Sequence, residues 1–129
     1  MGTINRFEEL DAWGKARELA GTVYRISALG NWAKDYGLRD QIRRAAVSAM
    51  SNIAEGFERR GATEFGRFLT MARASSGEVR SQLYLALDLG YLDQDTFAKA
   101  FALAEETSKV IAGLEKYLRE HAAKKRGAT

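Results

Sequence analysis

Between Tyr36 and Arg60, six polar residues recur at three- and four-residue steps: Gln41, Arg44, Ser48, Asn52, Glu55 and Arg59. That spacing places amide, hydroxyl, carboxylate and guanidinium groups in one line along a helix. Such a line can do one of two things. It can form a hydrogen-bonded cluster in a semi-buried groove, where a carboxylate between two arginines satisfies itself. Alternatively, Asn52 with Arg44 and Arg59 can meet phosphates or base edges while Glu55 orients the guanidinium groups. A carboxylate at the centre of the line favours the first reading. The next segment carries a matching stripe of Met71, Ser75, Glu78, Gln82, Leu85 and Leu89, beside the small residues Ala74, Ser76 and Gly77. Gln41, Ser48, Asn52, Glu55, Ser75, Glu78 and Gln82 are therefore the candidate polar cluster or subunit interface. Two stripes beyond what one core consumes predict an oligomer.

Charge distribution adds a second possibility. Lys124, Lys125 and Arg126 match the whole formal net charge of +3, so the rest of the chain balances. From Arg39 to Arg80 there are eight Arg, no Lys and five acids. Arginine without lysine suits bidentate pairing with carboxylate or phosphate. Arg43, Arg44, Arg59, Arg60, Lys124, Lys125 and Arg126 are the candidate phosphate contacts, in RNA or DNA. Trp13, Tyr24, Phe57 and Tyr84 fall mostly on core stripes and make poor base-stacking candidates.

No catalytic signature is present, and the protein is expected not to be an enzyme. The chain has no Cys and a single His, His121. Thiolate chemistry, disulfides and most zinc sites are thereby excluded. No Ser has a His in plausible reach, no Glu-x-x-His pair offers a metal site, and the Gly residues do not form a phosphate-cradling loop. No cofactor or metal is expected. The segment MGTINRFEELDAW lacks a basic stretch followed by an apolar one, and no run is long and apolar enough to span a membrane. The expected compartment is the cytoplasm.

The elements that must position these residues are helical. Pro is absent, Ala and Leu are frequent, and 46% of residues are hydrophobic, a composition for one helical domain. A first helix is predicted from about Glu8 to Ser27, its buried face holding Phe7, Leu10, Trp13, Ala16, Leu19, Ala20, Val23 and Ile26, with Gly30 beyond its end. Trp32 to Asp35 reads as a loop or short turn, with Trp32 covering one end of the core. The second helix runs from Tyr36 to about Arg60 on Leu38, Ile42, Ala45, Ala46, Ala49, Ile53 and Phe57. Gly61 is expected to supply the positive φ of the hairpin, and Thr63 to cap a third helix ending near Leu89. That helix buries Phe65, Phe68, Leu69, Ala72, Ser76, Val79, Leu83, Ala86 and Leu87, and Gly90 closes it. Asp93 or Asp95 caps the fourth, which buries Phe97, Ala100, Phe101, Ala104, Ser108, Ile111, Leu114 and Leu118. The expected architecture is all-α: an up-and-down, antiparallel four-helix bundle over residues 1–121, with a disordered basic tail over 122–129.

Several of these residues also carry a family resemblance. Phe7-x-x-Leu10-x-x-Trp13-x-x-Ala16, Tyr36-Gly37-Leu38, Gln41-Ile42-Arg43-Arg44-Ala45, Ser48 and Asn52-Ile53-Ala54-Glu55-Gly56 come first. Glu64-Phe65, Arg67-Phe68-Leu69, Ala72, Ser75, Glu78, Gln82 and Gly90-Tyr91-Leu92 follow. From Phe7 to about Leu118 the chain resembles the four-helix-bundle proteins encoded in intervening sequences of bacterial 23S ribosomal RNA genes. The resemblance implies a ring-like homopentamer. It also implies kinship with the accessory variability proteins of diversity-generating retroelements, which bind nucleic acid and a reverse transcriptase. One departure is Met50, where relatives usually have Pro; without it, no kink in the second helix is implied. Two function classes follow: a nucleic-acid-associated assembly of the ribosomal-intron or retroelement-accessory type, and a structural or adaptor oligomer with a protein partner and no direct nucleic-acid role.

Overall fold

In a computed structural model that describes residues 4–127, with side chains described as far as His121, the chain forms four helices and, among the described residues, no strand. They are α1 (Asp11–Ser27), α2 (Tyr36–Glu58), α3 (Ala62–Asp88) and α4 (Gln94–Gly127). Each packs on its neighbours in sequence, and α4 closes against α1, which is the four-helix bundle expected. Cross-helix contacts run in opposite directions along α2 and α3, where Ser48 meets Ser75 while Gly56 meets Phe68, and along α3 and α4, where Thr70 meets Glu115 while Ser76 meets Ser108. The backbone of α4 continues to Gly127 rather than ending at His121. The Lys124, Lys125 and Arg126 side chains lie outside the described residues.

The helices start and stop for local reasons, some different from those expected. Phe7–Glu9 form a separate 3-10 turn before α1. Gly30 takes φ +54 and Gly90 φ +75, the left-handed conformation that glycine adopts without a Cβ clash. At the α3 end, Tyr91 N–H bonds Ala86 O and Gly90 N–H bonds Leu87 O, satisfying carbonyls the helix leaves open. The hairpin between α2 and α3 departs from expectation. Arg60, not Gly61, has positive φ (61°), while Gly61 is extended at φ −143° and stands at the N-cap of α3. The cause is an earlier helix end: α2 stops at Glu58, so the left-handed position falls on Arg60. Thr63 is thereby moved from the cap into the first turn of α3.

Asp35 and Asp93 are the two working carboxylate caps. Asp93 accepts from Thr96 N–H at 2.7 Å, which decides between it and Asp95. Asp35 accepts from Leu38 N–H at 3.1 Å and from the Tyr91 hydroxyl at 2.8 Å. These two donors, the helix N–H first, hold its carboxyl below the ordinary range. Tyr91 in turn stacks on Trp32 with ring centroids 6.0 Å apart. Trp32, in the 3-10 turn Gly30–Lys34, is fully buried and closes that end of the core, as predicted.

The core has two apolar clusters. One gathers Leu19, Val23, Trp32, Ile42, Leu83 and neighbours; the other gathers Leu10, Ala16, Ile53, Phe65, Leu69 and Ile111. Met50 packs against both. At the midsection lie small hydroxyl residues. Ser75, Ser76 and Thr107 are buried; Ser76 Oγ meets Ser108 Oγ at 2.5 Å, and Thr107 donates to Leu103 O at 2.8 Å. Short side chains let the helices approach, and their hydroxyls find local acceptors, so little polar burial goes uncompensated.

Candidate functional site

The α2 and α3 stripes do face each other, and the structure divides their residues into three groups. Ser48, Asn52 and Ser75 form a connected centre. Ser75 Oγ donates to Ser48 Oγ at 3.0 Å, and Asn52 Nδ2 donates to Ser48 Oγ at 3.0 Å and to Ser48 O at 2.9 Å. Gln82 is half-buried, with Oε1 enclosed and without a hydrogen-bond partner among the described residues. Gln41 and Glu78 are exposed.

Glu55 corrects the expectation of a carboxylate between two arginines in a semi-buried groove. It is exposed and, among the described residues, forms its ion pair with Arg59, at 3.0 Å, one helical turn away. The Arg59 guanidinium also lies 5.0 Å from the Phe68 ring centroid. Arg44 is exposed and makes no ion pair among the described residues. One surface pair of this kind contributes little.

The other end of α2 holds a different arrangement, against α1. Arg43 Nε donates to the buried Ser27 Oγ at 2.9 Å, and Nη2 to Tyr24 O at 3.3 Å. Its guanidinium lies 4.6 Å from the Tyr24 ring centroid. Tyr24 is 46% exposed, contrary to its expected place on the core stripe. The core face of α1 there is Val23, Ile26 and Ser27, which turns Tyr24 outward. Tyr24, Asp40, Arg43, Arg44, Val47 and Ser48 line an open groove of about 580 Å³. Asp40 is engaged by Arg39 at 3.0 Å, so Arg43 and Arg44 keep the groove positive. Arg60 is exposed in the α2–α3 turn, far along the helix from this groove.

Sequence reasoning missed one site. Glu115 of α4 is buried, with its side chain 7% exposed, and takes Arg73 Nε at 2.6 Å and Thr70 Oγ1 at 2.8 Å. The hydrogen bond to this carboxylate, and then its charge, raise the pKa of the Arg73 guanidinium above its ordinary value. The available signal was an acid on the Ile111–Leu118 apolar stripe, where a carboxylate needs a partner.

The sequence pattern of the 23S rRNA-intervening sequence protein family matches residues 8–113. The chain belongs to that family. Among solved structures, this family member is similar to a protein of unknown function from the S23 ribosomal protein family of Bacteroides thetaiotaomicron VPI-5482. The two share 22% identity and a TM-score of 0.75, over 81% of this chain and 95% of the other. At that identity the likeness speaks for the fold alone. No curated protein matches. Among the described residues, no helix is long and apolar enough to cross a membrane.

Proposed function

We propose that this member of the 23S rRNA-intervening sequence protein family is a non-enzymatic, oligomeric protein that associates with nucleic acid through arginine–phosphate contacts. The observation that carries the reading is the pair Arg43 and Arg44 at one open groove, whose only acid, Asp40, is already engaged by Arg39. Uncompensated guanidinium groups on a rigid helix suit phosphate oxygens. Arg60 adds an exposed cation at the far end of α2, and Lys124, Lys125 and Arg126 add three in the sequence. Arg59 contributes less, because Glu55 already neutralises it.

Assembly, as a ring of five in this reading, is supported by the outer α3 stripe. Met71, Leu85 and Leu89 are 39%, 48% and 51% exposed, beside the α2–α3 polar centre. Repetition around a ring turns a modest basic groove into a multivalent one. The same apolar stripe also favours the second reading, an adaptor whose partner is a protein, a reverse transcriptase included.

Titrating RNA and DNA binding against salt separates the two. Phosphate contact gives a log affinity that falls linearly with log salt, and Arg44→Ala lowers that slope. Absence of binding at low salt refutes the nucleic-acid reading and leaves the adaptor. Light scattering that returns the 14.3 kDa of one chain refutes assembly.

A further inference from the structure

We infer that the groove between α1 and α2 takes an unpaired nucleotide, its base stacked on Tyr24 and its phosphate held by Arg43 and Arg44, so that single strands are preferred to duplex. This rests on the nucleic-acid reading above and specifies the form of nucleic acid that fits.

The groove combines three features that phosphate binding alone does not require. The first is a flat aromatic surface: Tyr24 is 46% exposed and lines the groove. The second is its immobility. Arg43 lies 4.6 Å from the Tyr24 ring centroid and is itself anchored by Ser27 Oγ at 2.9 Å and Tyr24 O at 3.3 Å. Ring and cation are thus fixed relative to each other, and a stacked base loses less freedom on binding. The anchored guanidinium keeps its Nη1 hydrogens for an acceptor. Third, Val47, 37% exposed, gives the groove an apolar wall, while Arg44 supplies an exposed cation beside it.

A second pair of the same kind stands one helical turn away. The Arg39 guanidinium lies 4.6 Å from the ring centroid of Tyr36, which is 64% exposed. Arg39 is itself engaged by Asp40 and by Ala33 O, so this second ring adds a face for a base, while Arg43 and Arg44 supply the cations for phosphate. In a duplex the base faces are covered by their neighbours, so a tyrosine has nothing to stack upon. Charge complementarity selects the occupant, since Asp40 is neutralised by Arg39 and the remaining groove charge is positive.

The test uses the full chain and fluorescently labelled oligouridylate, oligothymidylate and a mixed-sequence duplex, each of about a dozen nucleotides. Binding is read by anisotropy at low salt for wild type, Tyr24→Leu and Tyr24→Phe, with far-UV circular dichroism to verify folding. Tyr24→Leu is expected to weaken single-strand binding by about ten-fold while duplex binding, held by the Arg43 and Arg44 phosphate contacts, falls by less; Tyr24→Phe keeps single-strand affinity. The ratio between the RNA and DNA strands tells which source the groove prefers. Equal losses on single strand and duplex, or no loss on either, overturn the inference and leave phosphate binding standing. Failure of the wild type to bind any probe overturns the nucleic-acid reading as well.

Discussion

Gly56 of α2 lies so close to Phe68 of α3 that a β-carbon on it would stand 2.6 Å from Phe68 Cβ and 3.1 Å from Phe65 Cδ1. Phe68 Cβ is tied to its backbone and cannot swing aside, so the helices themselves would have to separate. Gly56→Ala is therefore expected to destabilise by up to about 2 kcal/mol. Overpacking costs roughly 1–3 kcal/mol, partly offset by about 1 kcal/mol of helix propensity. Gly14→Ala and Gly113→Ala, where an added Cβ meets nothing within 4 Å, are expected to stabilise by up to about 1 kcal/mol. Urea midpoints of the three variants check this; a stabilised Gly56→Ala variant refutes the close-approach account.

Arg73 and Glu115 should be unequal under mutation. Arg73→Ala leaves a buried carboxylate with Thr70 alone and is expected to cost about 1–3 kcal/mol. Glu115→Gln leaves Arg73, whose side chain is 46% exposed, free to turn into water, and should cost less than about 1 kcal/mol. Thermal unfolding of both decides; equal losses would mean that neither group is held by burial.

Removing Glu55 should matter little. Its pair with Arg59 is an exposed contact within one helix, a type that contributes about 0.3–0.5 kcal/mol. Glu55→Ala is accordingly expected to melt within about 2 °C of wild type. A loss of several degrees would show the pair to be shielded from water.

The Asp35–Tyr91 bond should appear in the pH profile at both ends. Asp35 is held below its ordinary 3.8 by Leu38 N–H and then by the Tyr91 hydroxyl. A depressed carboxyl contributes stability that is complete above 3.8 and lost as pH falls through the lower folded value. Tyr91 is raised above 10.0 by the same bond, so its contribution is complete below 10.0 and lost as pH rises through the folded value. Tyr91→Phe should remove the alkaline loss and only part of the acid loss, because the helix N–H remains. Asp35→Ala should lower the melting temperature by about 4 °C at neutral pH. A Tyr91→Phe profile identical to wild type would contradict the assignment.

Periodicity carried most of the fold. Ala45, Ala46, Ala49 and Ile53, or Phe65, Leu69, Ala72 and Val79, repeat at helical steps and are buried as expected. What periodicity could not carry was pairing over distance and one-residue offsets. Glu115 meets Thr70 across 45 positions, and nothing local in the chain announces that contact. The hairpin failed for the opposite reason: α2 ends two residues before the expected Arg60, enough to exchange the backbone roles of Arg60 and Gly61. Tyr24 was misplaced because Val23 and Ile26 set the centre of the α1 face, and a residue one step off that centre turns outward. Asn52 and Ser48 were legible as a polar group, and Ser75 as their neighbour, while the solvation of Glu55 was not.

The two clusters of the core each contain one tryptophan. Trp32 lies sealed in the cluster at the Tyr91 end, while Trp13 packs half-buried on the Phe7 end, 5.2 Å from that ring. Nature has thus placed two emitters of different polarity at opposite poles, with the hydroxyl midsection between them. Trp13→Phe leaves a signal from one pole and Trp32→Phe from the other. If the serine and threonine contacts bind the halves into one cooperative unit, both signals vanish at the same denaturant concentration. If the midsection is a seam, the pole with the weaker packing loses its signal first, and the bundle opens from one end like a sheath.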